Sequence, residues 1–436
     1  MGDAVAPPPP RRPSSRSEAT EDRSAVGRVR AAPRLDTRGP LVSAVGLALG
    51  PAAALGWARF AYSLLLPTMR ADLHWSFAQA GAMNTANAVG YLAGAITAGP
   101  LVSRVGSRQP YLAAFGLTAL ALLAEATTTH FAALIALRLV AGVSGAVVFI
   151  SGAGLMTQVV RKLPPGRSAA LLGTYFAGGG LGIVISAVAL PPLVGLTGGG
   201  SWRWGWVVLG GASVLALAGS APAALSVPQP SIPPGHRLFG WPVRRLAPTL
   251  VAYGLFGAGY IAYITFIVAF LHSQGMTTAT ISAFWAVLGA ASVFGVFAWS
   301  RPLGRLHGGR GPAMVLAVTT LGALLPLLVA STGGDFASAA LFGGAFLAVV
   351  TAITDMARRS LAVHHVAPAI AVLTVAFGIG QSLGPIFAGV LSTGPSGVRT
   401  GLGLGVALLS AATLVALSQR ALPTVDHASQ HAQGRP

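Results

Sequence analysis

The stretch Gly90-Tyr91-Leu92-Ala93-Gly94-Ala95-Ile96-Thr97-Ala98-Gly99-Pro100-Leu101-Val102-Ser103-Arg104-Val105-Gly106-Ser107-Arg108 joins one long apolar segment to the next. Gly90 and Gly99 stand nine residues apart near the end of the first segment, where a surface without Cβ atoms lets two helices approach closely. Arg104 and Arg108 then flank Gly106, which fixes positive charge at the turn between the two segments. Outside this stretch the chain has the same character. Its 436 residues are 53% hydrophobic and 9% charged, with a mean hydropathy of +0.70. Soluble domains carry about 25% charged residues, so this composition is that of a protein dissolved in a bilayer.

Twelve apolar runs fall near 41–67, 77–102, 109–127, 131–158, 168–196, 204–222, 246–271, 279–300, 312–331, 336–357, 367–392 and 399–419. As helices rising 1.5 Å per residue, such runs cross roughly 30 Å of hydrocarbon. The basic residues sort with them. With the N-terminus placed in the cytoplasm, twenty-three of the 28 Lys and Arg fall in the tails and inner loops, and only Arg70, Arg203 and Arg399 lie outside. The positive-inside rule therefore predicts cytoplasmic termini and a multi-pass protein of the inner (plasma) membrane. The formal charge of +18 is read as a topology signal, and nucleic acid is not expected as a partner. No cysteine is present, which excludes disulfides, thiolate metal sites and cysteine nucleophiles.

The order along the chain predicts a disordered cytoplasmic tail (1–39), six spans (40–222), a proline-rich cytoplasmic linker (223–245), six more spans (246–420) and a second tail (421–436). The two halves echo each other. Gly90, Gly99 and Gly106 recur as Gly295, Gly304 and Gly311, and Gly56-Trp57 with Phe60 recurs as Gly259-Tyr260 with Tyr263. Phe176 before a glycine run recurs as Phe377 before Gly378, Gly380 and Gly384. Six spans per half preserve orientation, so the repeats are parallel, related by an axis along the membrane normal.

The stretch from Gly90 to Arg108 resembles the loop signature of the major facilitator superfamily, with Ser103 in place of its aspartate. Span 1, from Gly56 to Met69, Gln79 to Tyr91 in span 2, and Gly380 to Gly389 in span 11 resemble the YbfB/YjiJ-type branch of that superfamily. Arg138, Gly142 and Gly145 in span 4 resemble a further superfamily signature. Gly380 to Gly389 is also similar to an antiporter pattern, but that pattern normally marks span 5, so the antiporter label is not carried across. The resemblance, over about 41–420, implies an all-α integral membrane fold of twelve transmembrane helices in two pseudo-symmetric six-helix bundles. It implies alternating access to a central cavity, a small-molecule solute, and a coupling proton as an open option, without naming a substrate. In the family the charged loop latches the cytoplasmic side. Here Ser103 brings no charge beside Gly90, Gly99, Arg104, Gly106 and Arg108, which predicts a weak latch.

Two arginines lie within spans, Arg59 and Arg138, at an insertion cost of about 2.5–3.5 kcal/mol for a central Arg. They either face a cavity and bind an anionic group, or they snorkel, or pair with Glu125 and backbone carbonyls. Asn84, Asn87 and Tyr91 share one face of span 2, as a cavity wall or as interhelical hydrogen bonds. Tyr62, Tyr175, Tyr260, Tyr263, Trp285 and Gln381 complete the candidate solute-binding set, each joining an apolar body to a polar tip or amide. Trp202, Trp204 and Trp206 are expected to form an interfacial belt.

These features point to a secondary transporter of a small organic solute, with an anion favoured by the intramembrane arginines. Proton-coupled multidrug-type efflux is the alternative within transport, and a transport-inactive membrane sensor or scaffold is the alternative of another class. No Walker motif, paired acids, His cluster or nucleophile with its base occurs, so no enzyme, cofactor or metal is expected. A monomer is expected.

Overall fold

The structure, a computed structural model, describes residues 2, 38–196, 200–228, 243–361, 363–393 and 397–421. Most of the expected tails and most of the linker lie outside these residues. Twelve long helices are present among them. The first six are α1 (Gly39–Asp72), α2 (Phe77–Val105), α3 (Arg108–Glu125), α4 (Phe131–Val160), α5 (Pro165–Leu196) and α6 (Ser201–Ser226). The second six are α7 (Ala247–Ser273), α8 (Thr278–Ala298), α9 (Arg310–Leu328), α10 (Thr332–Ser360), α11 (Val363–Leu391) and α12 (Val398–Leu417). Eleven are long and apolar enough to cross a membrane, and α3 is an 18-residue helix with a charged residue at each end. Helix α6 runs past the expected boundary at 222 to Ser226.

Local chemistry sets the ends of these helices. Ser76 opens α2 with a reciprocal capping box, its hydroxyl accepting from the Gln79 N–H and the Gln79 side chain accepting from the Ser76 N–H. Thr277 caps α8 in the second half, its hydroxyl accepting from the Thr280 N–H. After α2 the chain turns at Gly106 with φ of 78°, a conformation that a side chain makes costly. The matching residue before α9 is Gly308, with φ of 59°, and not the Gly311 that simple spacing suggests.

Packing across the helices reproduces the internal repeat. Gly90 lies against the Leu139 carbonyl of α4, and Gly295 lies against the Gly344 carbonyl of α10, so both partners shift by the same 205 positions. Gly178 and Gly182 of α5 press on the Ala48 and Ala52 carbonyls of α1, while Gly380 and Gly384 of α11 press on those of Gly254 and Ala258 of α7. These contacts pair α1 with α7 at an offset of 206 over Ala48 and Ala52. Close approach at glycine is the physical cause in every case, because a Cβ would overlap a carbonyl. Gly99 departs from expectation. It is exposed and a Cβ there would meet nothing, so only Gly90 of the signature pair serves helix packing.

The halves meet along three pairs of helices, α2 with α11, α5 with α8, and the Tyr62–Asp72 part of α1 with α7. From Ser63 toward the Asp72 end, Ser63 Oγ donates to the Ile264 carbonyl at 2.6 Å and Asn84 Nδ2 donates to Thr265 Oγ1 at 2.6 Å. Phe77 meets Phe266 edge-on at 6.2 Å. These contacts form a seam between the halves on the side away from the arginine-rich loops.

Candidate solute-binding site

Helix α1 is not α-helical throughout. From Ala52 to Phe60 it is a nine-residue π-helix, entirely buried, and the Ala61 N–H donates to the Gly56 carbonyl five residues back at 2.9 Å. Pro51, just before it, has no N–H to donate to the preceding turn. The wider turn accommodates one extra residue and re-aims the side chains that follow, a device concentrated at functional sites. Trp57 and Arg59 lie in this segment.

Arg59 stands at the seam about 20 Å along the axis from Asp72, at 1.5 Å per residue. It is 2% exposed. Its Nη2 donates to Gln381 Oε1 of α11 at 2.6 Å, and Gln381 Nε2 donates in turn to the Tyr260 hydroxyl of α7. The guanidinium carbon lies 5.0 Å from the centre of the Tyr91 ring, a cation–π contact that supplies part of the lost hydration. Among the described residues no carboxylate comes within ion-pair distance of Arg59, and its Nε has no hydrogen-bond partner.

Beside this chain of polar groups the second half presents aromatic faces. Tyr260 stacks on Phe256 at 4.9 Å, on Phe377 at 5.7 Å and on Phe346 at 6.0 Å. Tyr253 stacks on Phe377 at 4.6 Å, and Phe60 of α1 meets Phe346 edge-on at 5.8 Å. Tyr253, Phe256 and Tyr260 share one face of α7 because they are spaced by three and four residues. The result is a cation and an amide at the edge of an apolar aromatic wall.

Arg138 belongs to a different arrangement, enclosed within the first half. It is fully buried, donates from Nη1 to the Ala58 carbonyl at 2.7 Å, and lies 3.8 Å from Oε1 of the equally buried Glu125. Tyr62 and Trp206 offer their ring faces to it at 5.0 and 5.5 Å. Of the two readings of Arg138, the geometry matches pairing with Glu125 and a backbone carbonyl. Asn87 supports the same point, its Nδ2 lying 3.4 Å from the Ala58 carbonyl and 3.3 Å from that of Arg138.

The remaining expected residues divide by partner. Asn84 crosses the seam to Thr265, while Tyr62 donates to the Ala80 carbonyl at 2.8 Å inside the first half. Tyr175 donates to the Phe149 carbonyl at 2.6 Å, and the Tyr263 hydroxyl pairs with Ser338 Oγ at 2.6 Å, each within its own half. Arg59, Tyr91, Tyr260 and Gln381 therefore converge, whereas Tyr175, Tyr263 and Arg138 are engaged elsewhere. Trp285 is fully buried with no partner for its Nε1. The tryptophan belt is corrected. Trp204 is exposed, but Trp202 donates to Asp72 at 2.8 Å and Trp206 packs on Arg138, because i and i+4 share the inward face of α6. Ser63 and Thr265 complete the seam, and Phe346 and Phe377 the aromatic wall, without a signal in the sequence that assigns them there, since small or apolar residues are unremarkable in a span.

In the loop signature, Ser103 donates to the Pro100 carbonyl of its own helix at 2.8 Å, and Arg104 is exposed. Arg108 reaches the end of α6, donating to the Ala224 and Val227 carbonyls at 3.2 and 2.6 Å, where a cation complements the helix dipole.

Comparison with known proteins agrees with this architecture. Residues 51–417 match the family described as "Uncharacterised MFS-type transporter YbfB". The Uncharacterized MFS-type transporter YceJ of Bacillus subtilis is 27% identical over 284 residues, covering 62% of this chain and 68% of that protein. Among solved structures, the nucleoside transporter NupG (D323A mutant) superposes with a TM-score of 0.67 at 14% identity, covering 86% of this chain and 98% of its own. A bacterial homologue of the human lysosomal transporter Spinster, in an inward-facing and unoccupied conformation, gives a TM-score of 0.63 at 16% identity, covering 88% of this chain and 99% of its own.

Proposed function

Because this chain belongs to the YbfB-type family of major facilitator superfamily transporters, we propose that it carries a small organic anion across the inner membrane by alternating access. The observation that carries the reading is Arg59. It is a buried cation at the joint of the two halves, without a carboxylate partner among the described residues, held by an amide that a substrate carboxylate can replace. A bound anion would accept from Arg59 in place of Gln381 Oε1 and compensate its charge in a region of low dielectric. The Tyr260, Phe377 and Phe346 faces beside it suit a solute with a planar or apolar body. A cationic drug would meet Arg59 and, among the described residues, no acid beside it, which weighs against the efflux reading.

In this reading the arginine-rich loops and both termini are cytoplasmic, as the positive-inside rule favours, and the seam of Ser63, Asn84 and Thr265 belongs to the outer side. The two halves then rock about the α2–α11 and α5–α8 contacts, and the outer seam opens when the inner side closes.

Counterflow in proteoliposomes tests this reading. Labelled benzoate, acetate, uridine and ethidium are offered to vesicles loaded with the same compound. The wild type is expected to exchange benzoate faster than acetate and to leave uridine and ethidium outside. Arg59→Gln is expected to reduce benzoate exchange at least about tenfold, the loss of one charge-assisted contact of about 1.5–3 kcal/mol, with normal folding by size exclusion. Exchange of the neutral or cationic solutes alone, or unchanged exchange in Arg59→Gln, would contradict the proposal.

A further inference from the structure

Glu125 is a buried titratable group that the anion site does not use. It closes α3, is fully buried, and neither carboxylate oxygen has a hydrogen-bond partner. The charged and titratable groups facing it are few. Arg138 comes from α4 at 3.8 Å, and Tyr62 of α1 stands over the same guanidinium. Arg59, also on α1, adds its field to Arg138. Helix α6 contributes the uncharged indole of Trp206, and α2 the amide of Asn87.

Arg138 links this acid to the seam. Its Nη1 donates to the Ala58 carbonyl, and Ala58 lies in the π-helical segment of α1, one residue before Arg59. Asn87 lies against the same carbonyl. One backbone group thus joins the Glu125–Arg138 pair to the residue that bridges the halves. Arg59 reaches Gln381 from the adjacent position, and Ser63 reaches Ile264 one turn later.

We infer that Glu125 is a proton-binding site whose ionisation, through Arg138 and the Ala58 carbonyl, controls closure of the seam between the halves. With Glu125 ionised, the carboxylate compensates Arg138 inside the first half, and Arg138 holds α1 in its closed register. Protonation transfers one proton to the carboxylate and leaves the guanidinium as an uncompensated buried charge. That charge favours a conformer in which Arg138 reaches water, so the hold on Ala58 is released and the seam loosens. The proton is bound in one conformer more tightly than in the other, which is the linkage that couples an ion to a conformational cycle.

The inference rests on the proposed alternation but not on the solute, so its test contains no solute. A single cysteine, Ser63→Cys, is introduced into this cysteine-free chain, reconstituted in liposomes and labelled with a membrane-impermeant maleimide. Reactivity is corrected for thiolate fraction with the denatured variant at each pH. Corrected labelling is expected to rise on the order of tenfold from about pH 8.5 to about pH 5.5. The rise is expected to vanish in the Glu125→Gln background. Labelling that does not change with pH, or a rise that persists with Glu125→Gln, would overturn the inference. Should Glu125→Gln fail to fold, Glu125→Asp serves in its place. A displaced titration midpoint there supports the inference, and an unmoved one refutes it. Failure in either form leaves the anion reading standing, because benzoate counterflow is measured separately.

Discussion

Arg59 and Arg138 look alike in the sequence, each a lone cation in an apolar span, yet their surroundings give them different duties. Arg59 reaches across the seam to Gln381, whereas Arg138 is enclosed with Glu125, Tyr62 and Trp206. Their substitutions should therefore fail differently. Arg138→Gln leaves Glu125 buried without its counter-charge and is expected to cost about 3–5 kcal/mol of stability. Arg138→Gln combined with Glu125→Gln removes both charges and should cost less than the sum of the two single losses, with a coupling of about 1–3 kcal/mol. Denaturation of the purified variants in detergent measures the cycle, and additive losses would show that the two groups do not interact. Both arginines were legible in the sequence because a charge in a membrane span is conspicuous. The polar half of the Arg59 site was legible for the same reason, since Gln381, Tyr91 and Tyr260 carry polar groups. Phe346, Phe377, Ser63 and Thr265 were not, because apolar and small side chains in a span give no sign of which neighbour they touch. Trp206 was misplaced because tryptophan at a helix end is ordinarily interfacial, and only the packing of α6 reveals that it faces Arg138.

At the scale of the helices, eleven of the twelve were legible from apolar length alone, and the glycine spacing located the turn at Gly106. The π-helix in α1 was not legible. A run of alanines after Pro51 continues equally well as α-helix, and the wider turn is fixed by tertiary contacts such as Gly182 against the Ala52 carbonyl and Arg138 against Ala58. The opening signature also separates into two kinds of glycine. Gly90 permits α2 to touch the α4 backbone, while Gly99 touches nothing. Gly90→Ala is expected to destabilise by about 1–3 kcal/mol through overpacking. Gly99→Ala should be neutral or stabilising by about 0.5–1 kcal/mol, the helix-propensity gain of alanine over glycine. Thermal shifts of the two variants in one detergent distinguish them, and equal losses would show that the α2–α4 contact is not close.

For the whole molecule, the repeat explains how one chain makes a symmetric frame with an asymmetric centre. The frame repeats closely: Gly90 on Leu139 answers Gly295 on Gly344, and the Ser76 cap answers that of Thr277. The centre does not repeat, since the first half supplies both buried arginines and the second half supplies the stacked aromatic wall. A solute with an anionic end and a planar body matches that division, each half holding the part it can bind. On the function proposed above, movement of one half against the other alternates access to that solute, and the seam is the barrier that must part. The most direct measurement of this account locks the barrier. Phe77→Cys with Phe266→Cys, whose parent rings lie 6.2 Å apart across the seam, is joined by a short bifunctional methanethiosulfonate reagent in reconstituted vesicles. Cross-linking is predicted to stop benzoate counterflow and reductant to restore it. Undiminished exchange through the cross-linked protein would contradict alternating access at this seam.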